Sequence, residues 1–113
     1  MKTRLHRIST STAAKAAIAD QYDFYADRQG VELADRWEIA VAESLQSLRT
    51  MSDRGTPCQF RNKRLKDIRW FATPVFPFRI FYRLDENSGI VRVLHILHEK
   101  RDVEKTLLKS AQQ

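Results

Sequence analysis

Cysteine is nearly missing from this chain. Cys58 is the one thiol in 113 residues, which excludes an internal disulfide and any zinc site built on cysteines, and fits a reducing compartment. Glycine is almost as scarce: the three residues Gly30, Gly55 and Gly89 all fall at turns, so there is no Gly-rich loop to cradle a phosphate. No apolar run approaches a membrane span, and the basic start Met1 to Arg7 is followed by no apolar stretch of the leader type. A cytoplasmic protein without membrane contact is expected. Histidine is confined to His6, His95 and His98, too scattered to converge on a metal, so neither metal nor cofactor is expected. Acid is in deficit as well, 14 carboxylates against 20 lysines and arginines, and the net charge of +6 fits an acidic partner.

What is present is enough for one domain spanning residues 1–113: hydrophobic residues make up 42%, too many for a disordered chain. Lys2 to Ile8 alternate and read as an opening strand. Ser9-Thr10-Ser11-Thr12 offers N-cap hydroxyls ahead of an alanine-rich run. The helix that follows aligns Ala14, Ala17, Ile18, Tyr22 and Tyr25 on one stripe and stops near Gly30. A second helix, from about Glu32 to Met51, spaces Ala34, Trp37, Val41, Leu45 and Leu48 three or four apart. Gly55 and Pro57 end this helical hairpin, and Cys58 to Lys66, with Arg61, Lys63, Arg64 and Lys66, reads as a solvated basic connection. Asp67 to Thr73 reads as a strand, followed by a β-hairpin. A short last helix is capped by Asp102, with Val103 and Leu107 packing inward. The expected fold is α+β in the order β-α-α-β-β-β(-α). The helical hairpin packs on one face of an antiparallel sheet, and the other face is free.

The hairpin is the most informative stretch, because residues two apart in a strand share a face. One face of the first strand is Phe78, Ile80, Tyr82 and Leu84; the other holds Arg79, Phe81 and Arg83. Across the turn-rich 85–89 segment, pairing Leu84 with Ile90 sets Tyr82 opposite Arg92, Ile80 opposite Leu94 and Arg79 opposite His95. A slip of one residue would oppose Arg83 to Arg92 and turn one strand over, so the first register is expected. It leaves an apolar face for the core and a second face with Arg79, Arg83 and His95 among Phe81, Val91 and Val93. Such a surface is basic without being hydrophilic, and suits nucleic acid or an acidic protein. Trp37 and Trp70 either fill the helix–sheet interface or anchor a partner. Cys58 lacks a visible base and reads as an incidental thiol.

This element order, with Phe76-Pro77-Phe78-Arg79-Ile80-Phe81-Tyr82-Arg83, Val91-Arg92-Val93-Leu94-His95-Ile96-Leu97 and His98-Glu99-Lys100-Arg101-Asp102, resembles the ParE branch of the RelE/ParE toxin superfamily. The resemblance extends to Leu33-Ala34-Asp35-Arg36-Trp37 and implies the toxic half of a type II toxin–antitoxin module, of the kind described as plasmid stabilisation proteins. It implies growth inhibition relieved by a ParD-like or similar antitoxin. That partner is expected to be a small protein with a DNA-binding N-terminal part and an amphipathic C-terminal part that folds along the toxin's apolar grooves. RelE-like relatives cut messenger RNA on the ribosome, whereas ParE-like relatives are associated with poisoning DNA gyrase. Arg79 and Arg101 match the arginines of the RelE pattern, but its C-terminal tyrosine falls on Leu107, which can neither accept nor orient a proton.

The expectation is therefore a toxin that inhibits gyrase by binding, with no assigned catalytic residue. Arg79, Arg83, His98 and Arg101 are the candidate target or phosphate contacts, and Trp37 and Trp70 the candidate antitoxin contacts. The alternatives are a ribosome-dependent mRNA endonuclease in which His98 handles protons, His95 being the other histidine available, or a non-toxic remnant that still binds antitoxin.

Overall fold

The computed structural model describes residues 5–111. Strand β1 (Arg7–Thr10) leads into helices α1 (Thr12–Gln29) and α2 (Val31–Ser47); then come β2 (Thr56–Pro57), β3 (Arg69–Ala72), β4 (Phe78–Asp85), β5 (Ile90–His98) and α3 (Val103–Ala111). The five strands form one sheet in the order β1-β5-β4-β3-β2. The α+β architecture with a helical hairpin on the sheet is as expected, with two refinements. β1 runs parallel to β5, so the sheet is mixed, and the short edge strand β2 adds a rung beyond β3. The part of the expected opening strand at Lys2 to Arg4 lies outside the described residues. Helix α2 ends at Ser47, short of the expected Met51.

Local chemistry sets the helices. Ser11 caps α1, its Oγ accepting from the Ala14 amide at 3.0 Å, and Gly30 at φ +104° turns α1 directly into α2. Two bonds lock the helices together: the Trp37 indole donates to the Ile18 carbonyl (3.1 Å), and the Tyr22 hydroxyl donates to Asp35 (2.7 Å). Trp37 is fully buried, with ring centroids of Phe78, Phe76 and Tyr25 at 4.8, 5.4 and 6.0 Å. This aromatic cluster, with Val41, Leu48, Ile80, Tyr82, Val91, Val93 and Ile96, is the main core. Among the described residues no helix is long and apolar enough to cross a membrane.

The hairpin register departs from expectation. Asp85 pairs with Ile90, Leu84 with Val91, Arg83 with Arg92 and Tyr82 with Val93; beyond a bulge the pairs are Phe81–His95, Ile80–Ile96, Arg79–Leu97 and Phe78–His98. The slipped register is thus the real one. Its like-charge pair is harmless because the two arginines diverge: Arg83 donates to the Lys66 and Arg64 carbonyls (3.1 and 3.2 Å), while Arg92 lies 3.6 Å from Asp85. The slip turns over only the part of β5 next to the hairpin loop, because Leu94 is the extra residue of the bulge and restores the expected facing from His95 onward. Val91 and Val93 therefore face the helices, not the arginines, and Leu94 joins the opposite side. The bulge also explains a second role of Ser11, whose hydroxyl donates to the Leu94 carbonyl at 2.7 Å.

The far face of the sheet is not free. Leu65, Ile68, Phe81, Leu97 and Leu107 form a second, smaller core there, closed by α3 and the 58–66 segment. Asp102 caps α3 as expected, accepting from the Lys105 amide at 3.3 Å. The basic connection is also tied down: a single 3-10 turn at Lys63–Leu65 is held by the Arg83 bonds and by Glu104, which accepts from the Asn62 amide at 3.0 Å.

Candidate functional site

The candidate residues occupy three places. Arg79, on the second face of β4, stacks on the Trp70 indole, its Cζ 4.1 Å from the ring centroid. Both border a shallow groove of about 320 Å³ with Cys58, Phe60, Phe81 and Val103. A guanidinium over an indole face keeps its N–H donors available at the rim of the groove. Burial pushes the Cys58 thiol above its usual pKa, against a smaller opposing effect of Arg79, so the cysteine is a poor nucleophile.

His98 and Arg101 line a second cleft, of about 600 Å³, between α1 and the end of β5; its walls include Ala13, Ala17, Phe24 and Phe78. The His98 Nδ1 accepts from the Lys100 amide (3.2 Å) and the ring meets Phe78 edge-on at 5.4 Å, leaving Nε2 as the nitrogen available for other partners. His95 also borders this cleft. Burial, and more weakly the nearby positive charge of Arg101, hold His95 below its usual pKa. Its Nδ1 accepts from the Ile96 amide at 2.9 Å.

Arg83 belongs to neither place. Its guanidinium is committed to the carbonyls of the basic turn, beside an apolar groove of about 640 Å³ that includes Ser11, Ala16, Arg64, Leu94 and Leu107. Of the two tryptophans, Trp37 has no exposed surface and fills the core, which removes it as a partner contact; Trp70 is half-buried and accessible. Leu107 is buried at 3% exposure in the second core. Among the described residues no three histidine, cysteine, aspartate or glutamate side chains are grouped to hold a metal.

Sequence reasoning missed the turn between β3 and β4. Val75 there is 98% exposed and has a left-handed backbone at φ +73°. Pro74 and Pro77 flank it in the sequence, and nothing there signals positive φ at a valine.

A mixed five-stranded sheet with an N-terminal helical hairpin is the architecture of the RelE/ParE fold. A chain of a chromosomal ParDE toxin–antitoxin system from P. aeruginosa superimposes with a TM-score of 0.69 at 18% identity, covering 83% of this chain and 96% of that one. A chain of the toxin–antitoxin complex RelBE2 from Mycobacterium tuberculosis gives a TM-score of 0.58 at 18% identity, over 83% and 98%. The family model described as the ParE toxin of the type II toxin–antitoxin system parDE matches residues 8–103, and the chain belongs to that family. No curated protein sequence matches it significantly.

Proposed function

We propose that this toxin arrests growth by binding DNA gyrase in the cytoplasm, without covalent chemistry of its own, and is neutralised by an antitoxin expressed beside it. The observation that carries this reading is the strand register. Phe78 pairs with His98, so His98 shares a face with Phe78 while Arg79 points to the opposite face. An endonuclease would need its phosphate-holding arginine and its proton carrier on one substrate. Leu107, at the position where the RelE pattern has its tyrosine, is buried and aprotic.

One arrangement favours the second reading, RNA cleavage. His98 and Arg101 share a cleft, and together they would supply a proton carrier and a cation without Arg79.

Pulse-labelling of DNA and protein synthesis, in cells expressing the chain without antitoxin, separates the two. Gyrase poisoning predicts that DNA synthesis stops first and strand breaks accumulate; early loss of protein synthesis with intact DNA sinks it in favour of the ribosome. The double variant Arg79→Ala/Arg101→Ala is expected to fold, to bind antitoxin and to inhibit growth at least tenfold less.

The antitoxin reading is supported by the apolar groove beside α1, of about 640 Å³, and by the +6 charge. Both suit an acidic, amphipathic segment that folds on contact. Trp70, over which Arg79 stacks, offers an aromatic contact for the same partner.

A further inference from the structure

The turn joining β3 to β4 is built with more care than a connection requires. Thr73, only 3% exposed, closes it twice: its amide donates to the Phe78 carbonyl (2.9 Å), and its hydroxyl lies 3.0 and 3.2 Å from the Phe76 and Phe78 carbonyls. The Phe78 amide donates to the Phe76 carbonyl at 2.9 Å. Phe76 is anchored in the aromatic core, 5.5 Å from Tyr25 and 5.4 Å from Trp37 between ring centroids. The Glu99 amide donates to the Pro77 carbonyl at 3.0 Å, fixing the tip to the turn after β5.

On this frame sits Val75, 98% exposed at φ +73°. For a β-branched side chain that conformation is strained, and glycine or asparagine would adopt it more readily. The fold gains nothing in return, since an exposed valine makes no packing contact. A strained apolar residue held rigid in water is a feature whose benefit lies outside the molecule.

We propose that Val75 is a preformed recognition knob that enters an apolar socket on the folded protein this toxin attacks, with carboxylates at the socket's rim. The proposal rests on the reading of the chain as a toxin acting on a protein target. An isopropyl group gains free energy by leaving water for an apolar pocket and gains little from phosphates, so the partner surface is protein and not nucleic acid. A convex knob needs a preformed concavity. A tail that folds only on contact fills grooves and brings no socket of its own, which distinguishes the target from an antitoxin tail. The rim follows from charge: the neighbouring turn, tied through Glu99, carries exposed Lys100 and Arg101 with half-buried His98, and Glu99 is its single acid before Asp102.

The knob gives stability and function opposite signs. Val75→Asn keeps the turn and relieves the backbone, so its urea midpoint is expected to match or exceed that of the wild type. Its growth inhibition, counted as survivors after induction, should fall at least tenfold, with antitoxin affinity unchanged. Val75→Leu, apolar and not β-branched, should retain most of the inhibition. Undiminished toxicity of Val75→Asn overturns the knob, as does a lower urea midpoint, which would make the residue structural. A tenfold loss of antitoxin affinity with toxicity intact assigns the socket to the antitoxin and equally overturns it. The order in which DNA and protein synthesis stop in the wild type tests the gyrase reading separately. A wild-type chain that never arrests growth defeats both.

Discussion

The two faces of β4 use the same alternating strand to different ends. Toward the helices, Phe78, Ile80, Tyr82 and Leu84 meet one continuous aromatic and aliphatic cluster. Away from them, Phe81 is almost as buried, at 2% exposure, yet its neighbours along the face are Arg79 and Arg83. The first face is closed mainly by aromatic and aliphatic side chains, with one guanidinium, that of Arg54, 4.4 Å over the Phe71 ring at its margin. The second is closed by a thin layer in which guanidinium groups do part of the covering, Arg79 by stacking on Trp70 and Arg83 by donating to loop carbonyls. Arginine suits this use because its stem buries while its fork satisfies backbone oxygens. An arginine-rich sheet face is therefore not automatically a solvated one, and only those donors not already engaged are free for a partner.

The sharpest way to break the comparison is at Trp37. Trp37→Ala removes the centre of the helix-side cluster and should cost about 3–5 kcal/mol, read as a collapse of the urea midpoint. Leu107→Ala on the second face should cost less, about 2–3 kcal/mol, because a small satellite cluster relaxes more easily. Hydrogen exchange should then show α3 opening well before the helical hairpin; equal losses of protection in both would erase the distinction between the faces.

Tyr82 probes how the larger core is pinned to the chain that leaves α2. Its hydroxyl donates to the Ser52 carbonyl (2.7 Å) and accepts from the buried Gly55 amide (2.9 Å). Tyr82→Phe orphans both groups and is expected to cost about 1–3 kcal/mol. At Gly55 an added Cβ would sit 2.7 Å from that hydroxyl, so Gly55→Ala should destabilise through the same contact.

The smallest effect concerns His95 on the second face. Its pKa is lowered in the folded state, so between its folded value and the ordinary 6.5 the unfolded chain binds more protons. Stability is therefore complete above about pH 6.5 and is lost as pH falls through that window. Urea midpoints measured from pH 7.5 down to 5 should decline, and His95→Gln should flatten the decline. An unchanged slope in the variant would place its origin elsewhere.

Much of this arrangement was legible in local pattern. The threefold and fourfold spacing around Trp37, the serine cap at Ser11, the turn glycine at Gly30 and the twofold alternation of β4 each act over a few residues, and each appears where the pattern puts it. The family resemblance likewise rested on short strings at the β4 and β5 strands. The register between those strands was not legible, because pairing rules weigh the arginines against each other and ignore where long side chains can go.

The sequence by itself determined the three helices and the strands β3, β4 and β5 to within a few residues, and which face of β4 enters the main core, since those follow from propensity and periodicity along neighbouring positions. Tertiary structure alone decided the bulge at Leu94, the closing of the second face, the separation of Arg79 from His98 and the strained display of Val75. Each depends on groups far apart in the chain. Ser11 answers a carbonyl 83 positions away, Glu104 holds an amide 42 positions away, and the Val75 tip is fixed by aromatic rings on both helices. Local pattern carries no record of such partners, because their free energy exists only once the chain has brought them together.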